Sequence, residues 1–287
     1  MAWVTLAPGS LPFFSCSGRK PGSTAKGKKR WQVDLKIYKL DLHVHTVLSP
    51  CTEIAEMTPR AIVRAALDRG LDMIAVCDHN SARNTAATRR AAEGSGLTVI
   101  PGVEITTSEE VHILGLFPSD SDAEAVQEEV YARLFGQNDE NVFGYQVVVD
   151  EHDQVEDLDE RLLIGATTLS AEKVVRLIHD CHGLAVASHV DRAGFGIFIQ
   201  LGFIPEGLQL DALEISKRAG LDSIRTRYPQ CRDYPVITSS DAHCLEDVGA
   251  AVTVAMMAEP SFEELAKALG NRDGRRILEL KTRGDVL

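Results

Sequence analysis

The sequence predicts an α/β barrel, and three observations predict it. Eight short apolar runs recur from residue 35 onward, helical segments separate several of them, and histidines and carboxylates fall at or near the ends of the runs. Strands alternating with helices imply a parallel sheet, and seven or eight such units imply closure into a barrel. In such barrels the active site gathers at the carboxyl ends of the strands, so residues as distant in sequence as His43 and His243 can converge.

The expected strands are 35–42, 73–77, 97–103, 111–117, 184–188, 211–215, 234–238 and 249–256. A first helix opens with Thr58 as N-cap and Pro59 in its first turn, carries the stripe Ile62, Val63, Ala66 and Leu67, and stops at Gly70. A second runs over 81–93 and ends at Gly94. A third begins at Ser170, without a full capping box, on the stripe Val174, Val175, Leu177 and Ile178, and Gly183 terminates it. A last one follows Pro260-Ser261. Residues 119–169 interrupt this rhythm. An acidic helix from Ala123 to Phe135 and a strand over Tyr145–Val149, running into the polar turn Asp150–Asp153, read as an insertion near the barrel mouth. With no internal repeat after residue 34, a single domain over 34–287 is expected.

Residues 1–33 differ in character. They contain six basic residues and no acid, and read as a disordered basic extension or as a stretch ahead of the true start. Gly22–Lys29 approaches a phosphate-binding loop but lacks the closing Ser or Thr and follows no strand. The net charge is −12, which argues against coating nucleic acid or docking on a membrane through a basic surface. It leaves open a small phosphorylated substrate, because bound cations reverse the local field. The six cysteines (16, 51, 77, 181, 231, 244) have no framework spacing, the N-terminus is a poor signal peptide, and no apolar run is long enough to span a bilayer. A cytoplasmic protein with reduced thiols is expected.

The chemistry begins at Asp41-Leu42-His43-Val44-His45-Thr46, where two histidines share one face of an extended strand and can hold one ion between them. The chain continues with Cys77-Asp78-His79-Asn80, Pro101-Gly102-Val103-Glu104, Val111-His112-Ile113-Leu114-Gly115, Ala187-Ser188-His189 and Ser239-Ser240-Asp241-Ala242-His243. Histidine and carboxylate ligands without paired thiolates suit Zn, Mn or Fe. A carboxylate such as Glu104 can bridge two ions, and paired ions suit the in-line displacement of a phosphate ester.

In this order the motifs resemble those of the polymerase and histidinol phosphatase (PHP) family of metal-dependent phosphoesterases, over roughly residues 36–256. The resemblance implies a distorted seven-stranded (β/α) barrel with up to three metals. It implies that His43, His45, Glu104 and Asp241 bind a first ion, that Glu104, His112 and His189 bind a second, and that His79 and His243 contribute to a third. Asp78, His79, Glu104 and Asp241 are the expected catalytic groups, with Asp78 read as a partner that orients a ligand or water. Family members often place an Asp or His shortly after His-x-His as a third-site ligand, where this chain reads Ser49-Pro50-Cys51. Cys51 or Glu53 can stand in for that ligand, and the alternative, preferred from sequence, makes Cys51 a small buried filler.

Arg192, Lys217 and Arg218 follow strand ends and are candidates to bind substrate phosphate, with exposed helix-start charges as the bland alternative. His152, His179 and His182 read as solvated or structural. The expected activity is hydrolysis of the ester of a small phosphorylated metabolite, nucleotide or short oligonucleotide by hydroxide activated at the metals. Two other readings compete with it. An amidohydrolase-like deaminase or amidase also begins with His-x-His, though its superfamily usually ends on a lone Asp; a catalytically silent metal-binding PHP module would serve a partner.

Overall fold

The computed structural model describes residues 34–52 and 56–282. The expectations for residues 1–33 and for Glu53 lie outside the described residues.

Eight strands form at the expected apolar runs: β1 (Lys36–Val44), β2 (Met73–Val76), β3 (Thr98–Thr106), β4 (His112–Leu116), β7 (Leu184–Ala187), β8 (Ala212–Ile215), β9 (Val236–Thr238) and β10 (Ala251–Met257). With β11 (Arg276–Thr282) they make one nine-stranded sheet in the order β11-β10-β1-β2-β3-β4-β7-β8-β9. The sheet curls until its far end returns to β1. Just past β9, Ala242 bridges Val44, and His45 N–H donates to the Ala242 carbonyl at 3.0 Å. Lower down, Thr238 and Thr253 tie β9 to β10 through the Thr253 hydroxyl. The ring is therefore seven strands, β1–β4 and β7–β9, with β10 and β11 wedged at its seam.

The sheet is not all parallel, which corrects the sequence expectation. β4 runs antiparallel to both β3 and β7, and β10 runs antiparallel to β1. Thr107 to Val111 closes a tight turn (Thr107 N–H to Val111 C=O, 2.9 Å), too short for a parallel crossover. Inversion of β4 places its first residue, His112, on the rim where the other strands end.

One apolar cluster takes Leu40 and Leu42 from β1, Met73 and Ala75 from β2, Ile100 from β3, Leu114 from β4, Val186 from β7, Ala212 from β8 and Ile237 from β9. The only face common to all of these strands is the barrel interior. Leu265 and Leu269 of α8 (Phe262–Leu269) join it, and Thr98 at the start of β3 donates to the Pro260 carbonyl, so α8 plugs the end opposite the mouth. Outside the ring, α1 (Pro59–Asp68) and α2 (Thr85–Ala91) cover β1–β3, and α5 (Ala171–Asp180) covers β4 and β7. Ser170 caps α5 by accepting from Lys173 N–H, whereas Thr58 makes no side-chain cap on α1. The short α6 (Ile197–Gln200) and α7 (Leu221–Arg227) complete the outer layer.

The interrupting segment holds α3 (Asp120–Tyr131), α4 (Glu140–Phe143) and a hairpin of β5 (Val147–Val149) and β6 (Val155–Leu158). It is fastened to the loops at the mouth. Asn84 bonds the backbone of Val147 and Val149, Asn80 donates to the carbonyls of Leu163 and Gly165, and Val147 N–H donates to Val47 C=O. Among the described residues no helix is long and apolar enough to cross a membrane.

Candidate metal centre

The rim of the barrel brings together all eight residues expected from sequence to ligate metal. Glu104, at the end of β3 and 1% exposed, lies in the middle of five imidazoles. Its Oε1 is 2.8 Å from His112 Nδ1, 3.3 Å from His189 Nε2 and 3.4 Å from His43 Nε2. Its Oε2 is 3.1 Å from His79 Nδ1 and 3.5 Å from His45 Nε2. Asp241 Oδ1 closes the other side, 3.6 Å from His43 Nε2 and 3.4 Å from His45 Nε2. Three donor sets are compact enough for an ion: His43/His45/Asp241, His79/Glu104/His112 and His45/His79/His243.

Local backbone conditions explain why these side chains converge. A register shift in β1 between Asp41 and Val44 turns His43 and His45 to the mouth. Gly102 lets β3 approach β2, since a Cβ there would lie 2.6 Å from Cys77 Sγ and 2.9 Å from the Val76 carbonyl. Asn80, His189 and Asp241 hold positive φ values of 52°, 25° and 49°, a conformation uncommon for residues with a Cβ that gathers at functional sites.

The hydrogen bonds fix the rings. Asp78 is fully buried and accepts from Thr46 N–H (2.7 Å), the Thr46 hydroxyl (2.7 Å) and the Ser49 hydroxyl (2.7 Å). With its proton given to Asp78, Ser49 Oγ must accept from His45 Nδ1 at 2.9 Å, which leaves a lone pair on His45 Nε2. Glu214 Oε2 takes the Nδ1 proton of His43 at 3.0 Å, so His43 Nε2 is the atom that faces His45 Nε2, 3.1 Å away. Asp78 thus reaches the His45 ring through Ser49. Neither Ser49 nor Glu214 was singled out from sequence. A carboxylate inside the apolar run Ala212-Leu213-Glu214-Ile215 was the available signal for Glu214.

Charge in the cluster follows from these neighbours. Burial alone would lower His43, but Glu214, Glu104 and Asp241 around it hold its basicity well above the ordinary value. Burial, reinforced by His243, drives His45 well below the ordinary value, and burial pulls His112 down to about 4. Against the cost of burial, His112 and His43 keep Glu104 far below the usual carboxylate range; His43 and His45 do the same for Asp241.

These residues fit a metal centre. Ionised Glu104 and Asp241 beside neutral His45 and His112 are the protonation states that ligands require, and the three carboxylates around His43 favour a positive charge there, carried by a proton or by an ion. Both nitrogens of His189 and Nδ1 of His79 are buried without a hydrogen-bond partner, although each ring has a nitrogen near a Glu104 oxygen. Donor capacity is left over at the places where ions would sit.

Cys51 departs from its preferred sequence reading. The residue is exposed, not a buried filler, with its thiol turned toward His243 and His79; burial of the sulfur opposes ionisation, yet these imidazoles lower the thiol to about 6. Arg192, Lys217 and Arg218 line a cavity of about 390 Å³ that also includes His189, Glu214, Asp241 and His243. Arg192 Nη1 pairs with Asp241 Oδ2 at 2.7 Å and Lys217 Nζ with Asp247 at 2.7 Å. His179 and His182 pair with Asp211 and Asp122 elsewhere on the surface.

The PHP domain model matches residues 41–195, more than half of the chain, and a PHP-associated model matches 226–273. The chain belongs to the PHP domain family. Its fold is similar to that of the lesion-specific endonuclease Q from Pyrococcus furiosus, with a TM-score of 0.69 and 19% identity over 85% of this chain and 58% of that one. An uncharacterised protein of Bacillus subtilis is 23% identical over 273 residues, 85% of this chain and 64% of that protein. A 5'-3' exoribonuclease of Haemophilus influenzae is 35% identical over 81 residues, 27% of this chain and 28% of that protein. This chain covers less than two thirds of the length of each. The expected family and the expected distorted barrel are both found.

Proposed function

We propose that the chain is a metal-dependent hydrolase of phosphate esters, acting in the cytoplasm on a small phosphorylated metabolite, a nucleotide or a short oligonucleotide. The observation that carries this reading is Glu104, whose two oxygens face different sets of imidazoles beside a cavity lined by three cations. A first Mn, Zn or Fe ion is assigned to His43, His45, Glu104 and Asp241, and a second to Glu104, His112 and His189. A third is assigned to His79 and His243, with Cys51 beside them. Divalent ions bound there supply Lewis acidity and a water nucleophile at neutral pH.

The chain's own groups position the ester. Arg192 can exchange Asp241 Oδ2 for phosphate oxygens in a bidentate contact, while Lys217 and Arg218 add positive charge along the cavity. Glu104 and Asp241 act directly on the centre, His79 is assigned to the third ion, and Asp78 is a positioning residue through Ser49. The names of the endonuclease and exoribonuclease relatives support a nucleic-acid phosphodiester among the substrates. The acidic body of this chain favours a short one.

The test is hydrolysis by purified, metal-analysed protein with added Mn²⁺ or Zn²⁺ on phosphomonoesters, phosphodiesters, nucleotides and short oligonucleotides. Metal-dependent cleavage of phosphate esters is expected. Ammonia release from amide or amino substrates would instead favour the amidohydrolase reading, and tight metal binding without turnover on any panel would favour the silent module.

A further inference from the structure

We propose that Glu214 is a positioning residue that couples the two principal metal sites, holding one ligand of each through a single carboxylate oxygen. The inference rests on the metal-centre reading above and goes beyond it. Glu214 lies in β8, 1% exposed, between residues that are wholly apolar. Its Oε2 accepts the Nδ1 proton of His43 at 3.0 Å and the backbone N–H of His189 at 3.1 Å. His43 is assigned to the first ion and His189 to the second. The two rings also stack with centroids 6.1 Å apart and both approach Glu104 Oε1, but Glu214 Oε2 hydrogen-bonds to both residues.

Each contact has a separate consequence. At His43, a carboxylate can only accept, so the ring proton stays on Nδ1 and Nε2 is presented to the centre. At His189, the residue sits at φ 25°, where a side chain with a Cβ is rarely found. Capture of its amide by Glu214, with Val190 N–H donating to the Glu214 carbonyl at 2.8 Å, holds that turn and aims the imidazole at Glu104. Glu214 Oε1 has no partner and is buried, so the carboxylate is retained at a desolvation cost that its Oε2 contacts must offset.

An amide at this position can accept or donate, so it no longer dictates the ring tautomer. Glu214→Gln, prepared metal-free and reloaded with Mn²⁺, should bind both ions about 10–100-fold more weakly than the unaltered protein. Electron paramagnetic resonance during the titration separates the outcomes. The spin-coupled signal of a two-ion centre should fall without a mononuclear species accumulating, because both halves weaken together. Glu214→Asp, which keeps the charge but shortens the reach, should give a smaller loss shared by both ions. Wild-type affinity in Glu214→Gln, or loss of one ion with the other intact, would overturn the coupling. If neither variant folds by circular dichroism, Glu214 is a folding residue and the proposal falls. Should the unaltered protein itself take up no Mn²⁺ or Zn²⁺, the metal-centre reading fails first and takes the coupling with it.

Discussion

The two walls of the mouth are built on different rules. On the β1–β3 side, Asp78 accepts three hydrogen bonds, Ser49 passes its influence to His45, and Asn84 ties Thr46 to the hairpin of the inserted segment. Among the described residues, the buried side-chain polar atoms there have protein partners except Thr106 Oγ1 and His79 Nδ1, which faces Glu104. On the β7–β9 side, Ser188 Oγ, His189 Nδ1, Glu214 Oε1 and Ser239 Oγ are buried without a hydrogen-bond partner, His189 Nε2 faces Glu104, and the cationic cavity opens beside them. Most buried polar groups in proteins find a partner, so a cluster of such atoms beside a cavity marks hydrogen-bonding capacity open to water or a bound group. The first wall is a finished scaffold that fixes ligand geometry. The second leaves hydrogen-bonding capacity open toward the cavity.

Glu104 stands between the walls, so its loss should have the largest effect. Glu104→Gln is expected to lower turnover at least about 10³-fold and to reduce the metal content of the purified protein. A variant that keeps its full metal complement and loses less than tenfold would show that the walls do not meet at this carboxylate.

A change confined to the finished wall should cost less. Asp78→Asn still accepts from Thr46 but weakens the hold on Ser49 and hence on His45, and a loss of about 10–100-fold in kcat is expected. Steady-state rates for the two variants at saturating Mn²⁺ make the comparison. A greater loss at Asp78 than at Glu104 would reverse the assignment of which carboxylate touches the centre.

At the second wall the expected signature is different again. Arg192→Ala should raise KM about tenfold for substrates carrying a second phosphate, with a smaller change for simple monoesters. Equal effects on both substrate classes would place Arg192 at the reacting phosphate instead of beside it.

Both walls were legible in the sequence at their candidate ligands, and each hid one positioning residue, Ser49 on one and Glu214 on the other. His43, His45, His79 and Glu104 sit in short motifs beside apolar runs, so residue type and spacing both point to them. The strands themselves were readable for the same reason, whereas their directions were not. The turn at Thr107–Val111 inverts β4, and no periodicity records that. β11 escaped notice because Arg276, Glu279 and Lys281 dilute its apolar alternation at the sheet edge. Glu214 was hidden in the opposite way, as a single polar letter inside a strand whose burial made it read as core. Cys51 was misjudged as filler because its neighbours His79 and His243 come from two other strand ends.

The end of the barrel opposite both walls supplies the smallest expected effect on chemistry and a control for the comparison. There Glu264 accepts from Arg275 through two bonds of 2.8 and 3.0 Å, from Lys267 at 2.8 Å and from Ala258 N–H at 2.7 Å. The Arg275 guanidinium, foremost, lowers its carboxyl from 4.5 to about 2. A depressed carboxylate contributes stability that is fully present above its unfolded value and disappears as pH falls through its folded value. Glu264→Gln should therefore destabilise the protein by about 1–3 kcal/mol at pH 7, with kcat and KM unchanged. In urea unfolding, the gap between variant and wild type should narrow progressively as pH drops from about 4.5 toward 2. A gap that stays constant through that window would assign the loss to packing of the amide and not to the ion pair. A change in kcat would show that the plug at α8 and the mouth are mechanically linked, and the two walls could then no longer be treated as acting by themselves.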